Sequence, residues 1–151
     1  MQTIVLRNPQ ALENPDLVAF LRRAFTSFPH AAGKTVGLEG VIEDIFSFIK
    51  DPDFYMILGV ENGEFTTLAV LQKGASKLFP YPTVFCFYNE GTAAAKRGVV
   101  AHILEIVREL GYTRFRTANM SGHSDEVWER GFKRDGVGIT PIGTIFEMTL
   151  E

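Results

Sequence analysis

The sequence predicts an α/β protein in which a mixed β-sheet is covered by helices on both faces. Three observations support this prediction. Short apolar segments of strand length are bounded by turn residues, longer segments repeat apolar residues at helical spacing, and the two kinds of segment are interleaved along the chain. No internal repeat, low-complexity tract or linker interrupts this order, so residues 1–151 are expected to form a single domain.

The first half of the chain predicts one strand, two helices and a hairpin. TIVLRNP alternates as a strand, and ENPDLVAFLRRAFTSFP predicts a helix with Asn14 as N-cap and Pro15 as the first helical residue. LEGVIEDIFSFIKDPD has helical spacing and predicts the second helix. FYMILGVE and FTTLAVLQK flank Asn62-Gly63, which is typical of a two-residue hairpin turn.

The second half predicts three strands and two helices. TVFCFYN is a buried strand, and a long helix follows with apolar residues from Val99 to Leu110 at helical spacing and Gly111 as its C-terminal cap. YTRFRTAN alternates as the next strand. SGHSDEVWERGF predicts a short helix with Ser124 as N-cap, and TIFEMTLE predicts the final strand.

Composition excludes several classes of function. The net charge of −3 offers no basic excess, so general nucleic-acid binding is not expected. Cys86 is the single cysteine and lies in an apolar run, which predicts a buried side chain and no internal disulfide. Three scattered histidines give no metal-ligand spacing. The sequence has no apolar run of membrane-spanning length and no secretory signal pattern, so a cytoplasmic protein that does not bind membranes is expected.

The order of elements resembles that of the GNAT N-acetyltransferases. Strand TVFCFYN, a long helix ending in RELGY, strand TRFRTAN, a short helix ending in WERGFKRDG and strand IFEMTL are similar in order and spacing to that family's second half over residues 83–150. The first half agrees in element order. The resemblance implies a GNAT-like fold, acetyl-CoA as co-substrate, and direct transfer of the acetyl group to a primary amine of a small molecule or peptide. It also admits a homodimer.

In that family a loop of pattern R/Q-x-x-G-x-G/A binds the CoA pyrophosphate through backbone amides at a helix N-terminus. The matching stretch GTAAAK departs from this pattern, since Ala94 stands at the first Gly place and Lys96 at the Gly/Ala place. Two interpretations stay open: a modified phosphate loop in which Lys96 pairs with a phosphate, or an ordinary helix start capped by Thr92. In that family the loop glycines let the backbone approach the ligand closely and adopt a positive φ, which Ala94 disfavours. The expected cofactor-binding residues of this stretch are Gly91, Thr92, Ala93, Ala94, Ala95, Lys96 and Arg97.

The resemblance also implies further contacts and catalytic groups. Phe87 and Tyr88 end the central strand and are expected to line the cofactor site, as is Asn119, which falls one residue off the family spacing. The family's proton-donating tyrosine, four residues before the Gly-Phe pair, is replaced by Val127. Tyr88 is therefore the candidate acid and Glu90 the candidate base. The alternatives are a tyrosine that anchors the sheet and a solvated loop carboxylate.

The sequence leaves the acceptor and two functional hypotheses open. His30 and His123 are loop histidines that could border the site, and the segments PHAAGKTVG and LFPYP are expected on the acceptor side. The first hypothesis is an acetyl-CoA-dependent N-acetyltransferase. The second is a catalytically inactive GNAT-like protein, of a phage type for example, that serves as a binding or structural component.

Overall fold

The computed structural model describes residues 2–26, 43, 47–74, 81–117, 125–139 and 142. The strands within these ranges form a five-stranded sheet in the order β1-β2-β3-β4-β5, in which neighbours are antiparallel except for the parallel pair β4 and β5. The sheet is therefore mixed, as the sequence predicts. The strands are Gln2–Leu6 (β1), Phe54–Glu61 (β2), Glu64–Gln72 (β3), Thr83–Asn89 (β4) and Arg116–Thr117 (β5).

Within these ranges three helices have the bounds Pro15–Thr26 (α1), Ala93–Glu109 (α2) and Asp125–Arg134 (α3). A 3-10 turn, Pro9–Glu13, precedes α1. The predicted cap of α1 is confirmed, because the Asn14 side chain accepts a hydrogen bond from the Asp16 amide at 2.9 Å. Glu43 and residues 47–50 are helical, in agreement with the predicted second helix, the rest of which lies outside the described residues. The predicted final strand and the Ser124 cap lie outside them as well.

Helices α1 and α2 cover opposite faces of the sheet because side chains alternate along each strand. On β2, Met56 and Leu58 face α1, whereas Ile57 faces α2. The buried residues on the α1 face are Leu6, Leu17, Phe20, Leu21, Ala24, Ile49, Met56, Leu58, Leu68, Val70 and Cys86. Those on the α2 face are Ile57, Ala69, Leu71, Val84, Val99, Ile103, Ile106 and Val107. The predicted burial of Cys86 is thus confirmed.

The hairpin between β2 and β3 turns at the predicted residues. Asn62 has a φ of 51° and Gly63 a φ of 80°. Two consecutive positive φ values are what a type I′ turn requires, and Asn-Gly supplies them at the lowest steric cost. The turn places Glu61, the last residue of β2, opposite Glu64.

Strand β5 begins later than YTRFRTAN predicts. Gly111 has a φ of 88°, its amide bonds the Arg108 carbonyl, and the Tyr112 amide bonds the Val107 carbonyl. This is a Schellman motif, which uses the Tyr112 amide to close α2 and so removes it from a sheet ladder. The described pairing of β5 therefore starts at Arg116. Among the described helices, none has the length and apolar character needed to cross a bilayer.

Candidate active site

The site is assembled where β4 ends and α2 begins. Asn89 closes β4, and its side-chain oxygen accepts hydrogen bonds from the Thr67 hydroxyl at 2.9 Å and from the Gly91 amide at 3.1 Å. Thr67 is fully buried in β3, so it fixes the Asn89 side chain to the sheet. The Gly91 bond is an Asx turn, which directs the chain from the strand into the helix.

The first turn of α2 is capped and still retains free donors. The Thr92 hydroxyl accepts a hydrogen bond from the Ala95 amide at 3.3 Å, which makes Thr92 the N-cap, as one of the two interpretations of GTAAAK has it. Within the described part of the chain, no group accepts a hydrogen bond from the amides of Ala93 or Ala94, and both residues are exposed. Because a helix N-terminus carries partial positive charge, these two amides fit a phosphate group.

The Thr92 amide and hydroxyl already bind the carboxylate of Glu61. The Thr92 amide donates to Glu61 Oε1 at 2.9 Å, and the Thr92 hydroxyl donates to Glu61 Oε2 at 2.6 Å. The Thr66 hydroxyl lies 3.3 Å from Oε1 and donates to it. The hydroxyl and the amide of Thr92 together lower the pKa of the Glu61 carboxyl, so it is ionised at neutral pH.

Close packing, and not a positive φ, requires glycine at position 91. Its φ is not positive, since the glycines with positive φ in the described residues are Gly63, Gly111 and Gly136. A Cβ at position 91 would instead overlap the Glu61 carboxylate and lie 2.7 Å from the Thr66 side chain. Glycine is needed because the hairpin side chains pack directly against the backbone.

Lys96 is directed at α3. Its ammonium lies 2.8 Å from Asp135 Oδ2, and 4.8 Å from the centre of the Phe132 ring. The Asp135 side chain is 6% exposed and that of Lys96 is 22% exposed, so the ion pair is largely withdrawn from water. The Phe132 ring also meets the Phe87 ring edge-on, with centroids 5.5 Å apart. The ion pair therefore holds the Lys96 ammonium, which was expected to bind a phosphate, against Asp135. Arg97, the next residue, is exposed.

On the other face of the sheet, Arg23, Tyr88 and Glu90 form a hydrogen-bonded cluster. Arg23 of α1 donates two hydrogen bonds to the Glu90 carboxylate, at 2.8 Å and 3.2 Å. The Tyr88 hydroxyl donates to Glu90 Oε2 at 2.7 Å. The Tyr88 ring packs on Phe20, with centroids 5.9 Å apart. Both candidate catalytic residues are thus in direct contact, and Arg23 joins them.

The pKa values of the cluster follow from these contacts. Desolvation, and then the hydrogen bond to Glu90, raise the pKa of Tyr88 to about 12. The Arg23 hydrogen bonds, and to a smaller extent the one from Tyr88, lower the pKa of the Glu90 carboxyl despite its partial desolvation. At neutral pH the site therefore holds a protonated phenol, a carboxylate and a guanidinium.

A β-bulge bends β4 beside this site. Val70 pairs with Cys86 and Leu71 pairs with Val84, so Phe85 is an extra residue on β4. The described pairing of β4 with β5 is limited to Thr83–Arg116 and Val84–Thr117, immediately before the bulge. A bulge bends a strand and increases its twist. The direction of β4 therefore changes just after its described contact with β5.

Several predicted site residues lie outside the described part of the chain, namely Asn119, His30 and His123. Conversely, sequence reasoning did not identify Arg23, Glu61 or Asp135. None carries a local signal, because each reaches the site from an element distant along the chain. The described residues contain no group of His, Cys, Asp or Glu side chains able to hold a metal ion.

The fold is that of known acetyltransferases. An aminoglycoside 6′-N-acetyltransferase from Acinetobacter baumannii superposes with a TM-score of 0.67 and 11% identity, over 99% of each chain. A GNAT family acetyltransferase from Staphylococcus aureus gives 0.63 and 12%, over 97% of this chain and 98% of the other. A ribosomal-protein-alanine N-acetyltransferase from Brucella melitensis gives 0.63 and 9%, over 100% and 99%.

No protein-family model matches the sequence, and no curated protein is significantly similar to it. At the identities observed, the structural likeness defines the architecture alone. The chain has the GNAT acetyltransferase fold, as the resemblance of its second half implies.

Proposed function

We propose that this protein is an acetyl-CoA-dependent N-acetyltransferase that acts on a primary amine. The observation that carries the proposal is that two features adjoin the end of β4. One is the pair of exposed, unpartnered amides of Ala93 and Ala94 at the start of α2. The other is the hydrogen-bonded cluster of Tyr88 and Glu90, three to six residues earlier in the chain. An anion-binding helix start beside acid–base groups suits transfer from an anionic cofactor.

Acetyl-CoA would supply an activated acetyl thioester and a diphosphate. The amides of Ala93 and Ala94 would hold the diphosphate. We further propose that β4 and β5 diverge beyond the bulge at Phe85, which would leave backbone groups of β4 available to the pantetheine arm. Asn119 stays a proposed contact on the same side.

Glu90 would bind the acceptor amine. Its carboxylate is ionised and its side chain is 27% exposed, so it attracts the ammonium form of an amine. The lowered pKa weakens it as a base, and we expect it mainly to orient the amine while the proton passes to solvent. Tyr88, which stays protonated at neutral pH, would donate a proton to the departing thiolate after giving up its bond to Glu90. Small-molecule and peptide amines both suit this site.

A calorimetric titration with CoA and acetyl-CoA tests the proposal, followed by an assay of CoA release with a panel of primary amines. Micromolar binding and amine-dependent CoA release are expected. Absence of binding at millimolar cofactor would refute the proposal. It would favour the alternative, a catalytically inactive binding or structural protein, which is motivated by the engagement of Thr92 with Glu61 and of Lys96 with Asp135.

A further inference from the structure

The hairpin residue Glu61 occupies donors at the start of α2 that an incoming phosphate would use. The carboxylate accepts a hydrogen bond from the Thr92 amide at Oε1 and one from the Thr92 hydroxyl, which has a single proton, at Oε2. Because the Thr92 oxygen also accepts from the Ala95 amide, its remaining capacity serves the helix cap. Both protons that Thr92 could offer to a phosphate, on its amide and its hydroxyl, are therefore already donated to Glu61.

The packing around Glu61 shows that this arrangement is built into the loop. Gly91 provides the space in which the carboxylate lies, since a Cβ there would overlap Oε1. Thr66, two residues into β3, donates a further hydrogen bond to the same oxygen. The type I′ turn at Asn62-Gly63 follows Glu61 directly and fixes its direction. Three separate elements thus hold one carboxylate on Thr92.

We infer that Glu61 is an internal competitor for the cofactor diphosphate and limits the affinity of this site for CoA. The inference rests on the proposed function. A diphosphate on the Ala93 and Ala94 amides would meet a fixed negative charge on the adjoining Thr92, and like charges at such a site oppose binding. Binding would therefore require the Glu61 carboxylate to leave Thr92, or to remain there at an electrostatic cost.

The variant Glu61→Gln separates charge from shape. Glutamine retains an oxygen that can accept from the Thr92 amide, so the loop keeps its support, but it removes the negative charge and frees the Thr92 hydroxyl proton. Glu64→Gln is the matched control, because Glu64 lies opposite Glu61 across the same turn and carries the same charge, and it has no hydrogen bond to the described residues of the loop. Thermal unfolding of each variant confirms that the fold is retained.

Titration calorimetry with CoA and with pantetheine, which lacks the diphosphate, tests the inference. We expect Glu61→Gln to bind CoA three- to tenfold more tightly than the unmodified protein, with Glu64→Gln within twofold and pantetheine unchanged by either substitution. Equal or weaker CoA binding by Glu61→Gln would overturn the inference, as would an equal gain in Glu64→Gln or a gain with pantetheine. If the unmodified protein binds CoA and Glu61→Gln shows no gain, the inference alone fails. If neither binds CoA at millimolar concentration, the proposed function fails with it.

Discussion

The Lys96 ammonium lies 2.8 Å from the Asp135 carboxylate and joins the first turn of α2 to the residue that follows α3. Gly131 contributes to this contact, because a Cβ there would lie 3.1 Å from the ammonium. The pair is largely buried, so each charge depends on the other for its stability. Lys96 is therefore first a structural residue at the junction of two helices.

This relationship predicts the effect of uncoupling the pair. Lys96→Met leaves the Asp135 carboxylate buried without a counter-ion and should lower the free energy of unfolding by about 1–3 kcal/mol. Lys96→Met with Asp135→Asn should recover about half of that loss, because no buried charge is left unpaired. Urea denaturation of the two single variants and the double variant measures the coupling. Additive effects would show that the ion pair contributes little.

The free amides at the start of α2 give a prediction about binding. Ala93→Pro removes one amide proton at the first helical position, where proline is well tolerated, and Thr92 has the extended ψ of 164° that proline requires of its predecessor. CoA affinity should fall roughly tenfold, the value of one hydrogen bond to a charged group, while stability stays within about 0.5 kcal/mol. Ala93→Ser keeps the amide and serves as control. Unchanged CoA affinity in Ala93→Pro would exclude this amide from the cofactor site.

The Arg23–Glu90 contact predicts a pH dependence of stability. In the folded protein the pKa of Glu90 lies below its ordinary value of 4.5, chiefly because Arg23 donates hydrogen bonds to the carboxylate. Its stabilising effect is therefore present above pH 4.5 and is lost as the pH falls through the lower, folded-state pKa. Glu90→Gln should be less stable than the unmodified protein at pH 7, and the difference should shrink below pH 4.5. A difference that is constant from pH 7 to pH 3 would contradict this linkage.

Tyr88 gives a prediction about catalysis. If its hydroxyl supplies the proton in acetyl transfer, Tyr88→Phe should lower kcat by about 10²-fold, typical of a lost general acid, and leave CoA affinity nearly unchanged. Tyr55→Phe is a suitable control, since Tyr55 lies on β2 and packs on the α2 face of the sheet, whereas Tyr88 packs on the α1 face. Steady-state kinetics with a reactive amine separates the two parameters. An unaltered kcat would assign Tyr88 a purely structural role on Phe20.

Local sequence signals predicted the elements that depend on neighbouring residues. The Asn62-Gly63 turn, the Asn14 cap and the Gly111 terminus each need only a few consecutive residues, and all three are confirmed. The Thr92 cap belongs to one of the two interpretations that the sequence left open, and the structure shows it. The start of β5 was predicted too early because Tyr112 has the alternation of a strand. Its amide instead donates to the Val107 carbonyl and so terminates α2. A pattern of alternating side chains does not show where a backbone amide will bond.

The candidate site was predicted less completely because its contacts cross long separations in sequence. Thr92 is 31 residues from Glu61, and Arg23 is 67 residues from Glu90. No pattern in a window of one helix or strand relates such residues. The sequence placed Tyr88, Glu90 and the start of α2 together because they are contiguous, and it could not show which charged groups of the hairpin, α1 and α3 would reach them.

The buried thiol of Cys86 reports local opening of the central sheet. It is the single cysteine of the chain, it is 8% exposed in the middle of β4, and burial raises its pKa to about 12, so a thiol reagent reacts with it only when the central sheet opens. The rate at which the reagent modifies Cys86 in the native protein therefore reports the opening of the sheet around β4, without an engineered cysteine. A compound that binds beside β4 and stabilises it should slow the modification of Cys86. Measuring this rate with a set of compounds is therefore a screen for natural ligands that requires no knowledge of the reaction.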